Sequence, residues 1–196
     1  RALKNTALSY LMCPDDTDMV SVCAEQFERA DNMTDTSAAL RALVGSAAPD
    51  AQPAKEKALV DFYNRWANEA LVIDMWFTIQ ASCRLPGTLD QVMALMQHEA
   101  FDIKNPNRFR SLITGFTGQN VSFHQAGGAG YAFLADRVIE VNAINPMIAA
   151  RILGPLTRWR KFDEARQAFM KNELTRIKDT LNLSPDVYEV VTKSLA

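Results

Sequence analysis

Histidine and cysteine are scarce. Two histidines, His98 and His124, and three cysteines, Cys13, Cys23 and Cys83, are all that 196 residues hold. Three cysteines are too few and too scattered for a disulfide framework, and none falls in a close ligand spacing. They read as small buried hydrophobes and point to a reducing, cytoplasmic compartment. His98-Glu99 resembles the start of a His-Glu-x-x-His zinc motif, but position 102 is Asp, which excludes that site here. His98 then reads as a surface or helix-end residue, and His124 as a residue that packs a loop.

Also missing is any apolar run near the roughly 20 residues needed to span a bilayer, and any charged-then-apolar leader. A soluble chain with no membrane partner is expected. No initiating methionine is present: Arg1-Ala-Leu-Lys4 is already in helical pattern, as expected of a piece of something longer. Alternating strand patterns are absent too. The composition, 48% hydrophobic and 22% charged, is ordinarily globular. The formal charge of -2 hides a division: residues 1–100 carry 8 basic and 14 acidic side chains and residues 101–196 carry 13 and 9, so the halves stand at -6 and +4. That polarity suits an oriented docking surface and is far too weak for nucleic acid. The basic aromatic run Arg158-Trp-Arg-Lys161 reads as a solvated corner.

What is present is helix signal, recurring every 15 to 20 residues. Leu3, Leu8 and Leu11 mark a first helix stopping before Pro14, and Asp15 to Asp18 open a second. A third, capped near Thr34, ends at Gly45; Ala47 to Pro53 forms a linker. Leu59, Phe62, Tyr63 and Trp66 share one face of the next helix. Leu71 to Ile79 is apolar almost all round and should lie centrally. Thr88 caps the helix after the Leu85-Pro-Gly turn. Glycine-rich Gly118 to Gly130 suits a long surface loop; Gly127-Gly-Ala-Gly130 lacks both the preceding strand and the Lys-Ser/Thr of a phosphate cradle. Asp163 and Ser184 start the last two helices. The expected fold is all-α: about eleven helices in stacked antiparallel pairs, a degenerate α-solenoid of the armadillo/HEAT kind.

Two helix starts stand out. Asn105-Pro and Asn145-Pro each pair an acceptor for free first-turn amides with a proline at the first helical position. In the first helix Phe109, Leu112, Ile113 and Phe116 share one apolar arc, which puts Arg108 and Arg110 on its flanks and outside the core. In the second, Met147 and Arg151 are neighbours opposite the apolar face. These side chains either line a groove suited to anions or are ordinary surface residues.

Several stretches carry a family resemblance. Arg1-Ala-Leu-Lys-Asn5, Asn32-Met-Thr-Asp35, Asn105-Pro-Asn-Arg108 with Arg110-Ser-Leu-Ile113, Gly130-Tyr-x-Phe-Leu134, Asn145-Pro146 with Ala150-Arg151, and Thr192-Lys-x-Leu-Ala196 run in order from end to end. The chain resembles the C-terminal domain of bacterial aminopeptidase N, an alanyl aminopeptidase of the zinc gluzincin class. The resemblance implies that residues 1–196 form a single helical C-terminal domain of a longer hydrolase that removes N-terminal residues from peptides. It implies that the zinc ligands and the Gly-x-Met-Glu-Asn amine-recognition motif belong to an upstream catalytic domain, so this chain alone has no catalytic residue, metal or cofactor. Its partners would be that catalytic domain, over which it closes, and peptide substrates. Arg110 and Arg151 would face the enclosed cavity. Met147 stands where relatives can carry a polar side chain touching substrate, so a hydrogen-bonding role there does not carry over. The competing expectation is a free-standing solenoid that binds a peptide or protein partner in its concave face.

Overall fold

Among the described residues six helices begin on a side chain that accepts a bond from an amide of their own first turn, which fixes where the chain turns helical. The caps are Asp16, Asn32, Asn105, Asn145, Asp163 and Ser184. The computed structural model describes residues 1–14, 16–118 and 120–196. Its helices are α1 (Ala2–Leu11), α2 (Thr17–Arg29), α3 (Met33–Val44), α4 (Ala51–Trp66), α5 (Ala70–Ala81), α6 (Thr88–Leu95), α7 (Pro106–Thr117), α8 (Asn120–Phe123), α9 (Ala129–Asn142), α10 (Pro146–Ile152), α11 (Gly154–Thr157), a 3-10 turn (Trp159–Lys161), α12 (Glu164–Lys178) and α13 (Pro185–Leu195). Among the described residues there is no strand, and eleven of the thirteen α-helices have seven residues or more.

Four local expectations need correction. Asn32, not Thr34, caps α3, because its Oδ1 accepts from the Asp35 amide at 3.0 Å. The supposed linker is shorter: α4 starts at Ala51 and takes Pro53 into its first turn, where the missing N–H would have had no partner. Thr88 is not the cap of α6. Gly87 holds that position at φ +82°, and the Thr88 hydroxyl donates backwards to Leu85 O at 2.7 Å. The glycine-rich stretch contains α8 and is no continuous loop. Gly127 and Gly128 have φ of +92° and +74°, and a Cβ on Gly130 would lie 2.3 Å from Phe123 O. These glycines let the chain reverse tightly between α8 and α9. Asp15, expected to help open α2, lies outside the described residues.

From α1 to α7 alternate helices stack: α1 on α3, α3 on α5, α5 on α7, and α2 on α4. Each helix meets its next neighbour but one, which is how a solenoid buries one face of every repeat. The α5–α7 approach is closest, since Gly115 leaves only 3.1 Å between a would-be Cβ and Ala81 Cβ. Alternation ends after α8. There α9 packs on α10 and α12, and both of those pack on α13, which closes a four-helix ring around Val138, Val141, Met170, Leu174, Ile177, Val187 and Val191. An aromatic chain joins the two regions: Phe116 meets Phe123 edge-on at 5.8 Å and Phe133 at 5.6 Å, and Phe123 meets Tyr131 at 5.3 Å. As expected, α5 is central, with Ile73, Trp76, Phe77 and Ile79 buried.

Candidate functional site

Both Asn-Pro helix starts form as their residues dictate. Asn105 Oδ1 accepts from the amides of Asn107 at 3.1 Å and Arg108 at 3.2 Å, and Asn145 Oδ1 accepts from Ile148 at 3.2 Å. The two helices do not stack on each other; α9 lies against both.

The arginines part company. Arg108 is in the core, against expectation, with 8% of its surface exposed. Its Nε donates to Asp74 Oδ1 at 2.6 Å, Nη1 to Ala100 O at 2.8 Å and Nη2 to Ala70 O at 3.4 Å, while the guanidinium sits 5.3 Å from the centre of the Phe77 ring. Helical periodicity put Arg108 at the edge of the apolar arc. What it could not show is that α5, stacked alongside, places a half-buried carboxylate there. Asp74 was the available signal: a lone acid inside an otherwise apolar helix needs a cation beside it.

Arg110 and Arg151 are exposed, and neither forms a hydrogen bond or ion pair with a described residue. Met147 is 67% exposed. With Phe109, Leu112, Ile113 and Phe116 fully buried on the opposite side of α7, the Arg110 guanidinium is free to bind an anion or a carbonyl from outside. Arg151 stands likewise opposite Ile152 and Ala149.

The histidines have other work. His98 follows the end of α6, where its Nδ1 accepts from the Ala100 amide at 3.1 Å and its ring packs edge-on against Tyr63 and Phe77. His124 stacks on Phe162 at 4.2 Å and shares a 2.8 Å hydrogen bond between Nδ1 and the Tyr131 hydroxyl. Burial, with the nearby Arg166 charge adding to it, holds the His124 pKa below its ordinary 6.5. Among the described residues no three His, Cys, Asp or Glu side chains gather closely enough to hold a metal ion. Of the cysteines, Cys23 is buried and its thiol pushed up to about 12 by desolvation, but Cys13 is exposed, contrary to expectation.

The basic aromatic corner is also more structural than expected. Trp159 is buried, its Nε1 donating to Ser194 O at 3.1 Å, and Arg160 Nη1 donates to the same oxygen at 2.8 Å. Two donors thus satisfy a last-turn carbonyl of α13, as a C-terminal cap does. No described helix is long and apolar enough to cross a membrane.

With this geometry in view, comparison with known proteins is direct. The model of the family described as "Domain of unknown function (DUF3458_C) ARM repeats" matches residues 1–196. Aminopeptidase N of Escherichia coli is 38% identical over 197 residues, and aminopeptidase N of Caulobacter vibrioides 39% identical over 196. Each alignment covers all of this chain and 22% of the relative, so the chain spans about one fifth of their length. The crystal structure of Legionella pneumophila aminopeptidase A in complex with aspartic acid superposes with a TM-score of 0.90 at 35% identity, covering 98% of this chain and 22% of that one. The stacked helices, the two capped Asn-Pro starts and the full-length family match agree: the chain belongs to the DUF3458_C family, the C-terminal ARM-repeat domain of bacterial aminopeptidase N.

Proposed function

We propose that this chain is the non-catalytic part of a zinc aminopeptidase, a C-terminal domain that closes over the catalytic domain and lines the substrate cavity with Arg110, Met147 and Arg151. The observation that carries the reading is the pair of exposed, unpartnered arginines on two Asn-Pro-capped helices in a chain whose relatives are aminopeptidases. A guanidinium with no internal partner holds a peptide carbonyl or carboxylate by paired, charge-assisted bonds. Met147 adds apolar surface beside Arg151 and no hydrogen bond. Zinc chemistry belongs to the preceding part of the polypeptide, because the described residues here do not fit the ion: His98 and His124 are engaged with Ala100 and Tyr131 and have no acidic or thiolate companions in ligand geometry. When bound in the catalytic domain, zinc polarises the scissile carbonyl and activates water. This chain's contribution is to exclude folded proteins and orient the far end of a peptide.

The test uses the full-length aminopeptidase that carries this domain. In Arg110→Ala and Arg151→Ala, kcat/KM for tripeptides and longer should fall about tenfold or more relative to kcat/KM for a short chromogenic amide, as expected when a charge-assisted bond to substrate is lost. Stability should move by no more than about 0.5 kcal/mol, as for exposed polar truncations generally. Equal effects on long and short substrates, together with lost stability, would make these arginines structural and end the cavity reading.

A further inference from the structure

The outer side of the layer formed by α1, α3, α5 and α7 carries a groove of about 720 Å³ that Arg110 and Arg151 do not line. That volume falls in the range of roughly 300 to 1,000 Å³ typical of ligand clefts. Its wall runs from Asn5 and Met12 of the α1 end, past Arg41 and Ala42 of α3, to Ile79 and Arg84 at the end of α5. No residue of α2, α4 or α6 takes part, so the groove opens away from the second layer. Arg110 is exposed on α7, a helix of the same layer that does not itself line the groove.

The charge of this groove runs against its surroundings. Residues 1–100 are six charges negative, and three of their cations are used internally: Lys4 with Asp35, Arg29 with Glu25 and Lys57 with Glu28. Arg41 and Arg84 are not; neither guanidinium hydrogen-bonds or ion-pairs with a described residue. Among the described residues no carboxylate lines the groove, whose other side chains are apolar or small and polar. Partial desolvation lowers the Arg41 pKa from the ordinary value, although the side chain remains exposed at the groove. By contrast, the cleft of about 590 Å³ between the α6–α7 connection and α9 holds carboxylates beside its arginines: Arg176 pairs with Asp136 and Glu173, and Arg137 lies 3.2 Å from Glu140, though its Nε makes no hydrogen bond.

We infer that this groove is a carboxylate subsite for peptides: Arg41 and Arg84 hold the carboxylate at or near the far, C-terminal end of a substrate whose last side chains lie on Met12, Ala42 and Ile79. The inference rests on the cavity reading, because it needs the outer side of this layer to face substrate. A guanidinium matches a carboxylate with two parallel N–H···O bonds, which a carboxamide cannot reproduce. The subsite therefore discriminates peptide acids from peptide amides and acts only on chains long enough to reach it.

The experiment measures kcat/KM of the full-length aminopeptidase for peptides of increasing length, each as free acid, as C-terminal amide, and as amide with glutamate in last place. Beyond a threshold length the free acid should be favoured over the amide by about tenfold, as for loss of one charge-assisted pair. The acid-to-amide ratio should collapse towards one in Arg41→Gln and Arg84→Gln, and because it is taken within each variant it is insensitive to partial misfolding. If the glutamate amide recovers the acid's advantage, the subsite reads any terminal carboxylate; if it does not, it reads the main-chain carboxylate alone. A wild-type ratio near one at every length, or a ratio that both variants leave intact, overturns the subsite. The cavity reading fails separately, if Arg110→Ala and Arg151→Ala leave long peptides untouched.

Discussion

The α1–α7 stack and the α9–α13 ring are both helical and adjoin through one aromatic chain, yet they hold themselves together differently. In the stack each helix touches helices near it in sequence, its next neighbour but one among them, and burial is passed along from repeat to repeat. The ring closes on itself, with α9 and α10 meeting α12 and α13 across 20 to 50 positions of chain. Ion pairing follows the same division. The stack buries one pair, Arg108 with Asp74, between its two most closely apposed helices, whereas the ring's Arg176 pairs with Asp136 at the surface. A one-dimensional stack has no second chance to cover an edge, so a polar tie inside it matters more than one on the rim of a ring.

That difference predicts unequal responses to the same kind of substitution. Arg108→Ala leaves the Asp74 carboxylate, 16% exposed, without its cation and should cost about 3 kcal/mol, because a largely buried charge is left unpaired. The double variant Arg108→Met with Asp74→Leu should recover much of that loss. Arg176→Ala, whose pair is wetted by solvent, should cost at most about 1 kcal/mol. Denaturant titration of the three variants reads the contrast directly; equal losses for Arg108→Ala and Arg176→Ala would dissolve it.

A smaller effect of the same kind separates two glycines. Gly115 faces α5, where an added methyl meets Ala81 Cβ at 3.1 Å and Thr78 Cα at 3.4 Å, so Gly115→Ala should destabilise the stack by about 1 to 3 kcal/mol through overpacking. At Gly154, in the first turn of α11, nothing stands within 4 Å of the added Cβ. Gly154→Ala should therefore stabilise by about 0.4 to 1 kcal/mol, through the smaller entropy of the unfolded chain. Thermal melts showing a shift of the same sign for both would mean that α5 yields to the methyl.

The pairing of helices in the stack was the more legible in the sequence. The apolar faces there keep helical spacing and the hairpins follow chain order, although the caps at Thr34 and Thr88 were misread while Asn145, Asp163 and Ser184 of the ring begin their helices as expected. Even there, Arg108 was misplaced, because periodicity describes one helix and burial of an arginine is a property of two. The ring was less legible. Nothing in the spacing of Tyr131 to Leu195 announces that α9 will meet α12, since closure depends on pairings distant in the chain. Trp159 and Arg160 read as a surface corner because their acceptor, Ser194 O, is a backbone atom 34 and 35 positions away that no side-chain pattern reveals. Of the cavity candidates, exposure of Arg110, Met147 and Arg151 followed from their helical phase. The Arg41 and Arg84 groove did not, since it forms only when three helices align.

The smallest expected effect divides the regions by pH. At the edge of the stack, the Asp35 carboxylate accepts from Lys4 at 2.7 Å, Asn5 at 2.9 Å and Asn32 at 3.3 Å, and these donors, Lys4 foremost, hold its pKa far below the ordinary 3.8. Its contribution is complete above about 4, and is lost only as pH falls from there towards the lower folded value. At the junction with the ring, His124 is held below 6.5 by burial among Tyr131 and Phe162, with Arg166 adding its charge and Asp163 paired to that arginine. An unfolded chain takes up a proton near 6.5 that the folded one refuses, so stability is full above that value and falls as pH drops through it. Acidification should thus loosen α8, α9 and α12 first, as pH falls through 6.5, and the α1–α3 contact only below about 4. Hydrogen exchange followed region by region across this range would show the order, and His124→Asn should remove the first step while leaving the second. Loss of protection in α1 and α3 ahead of α9, or a first step that survives His124→Asn, would place the acid-sensitive group elsewhere.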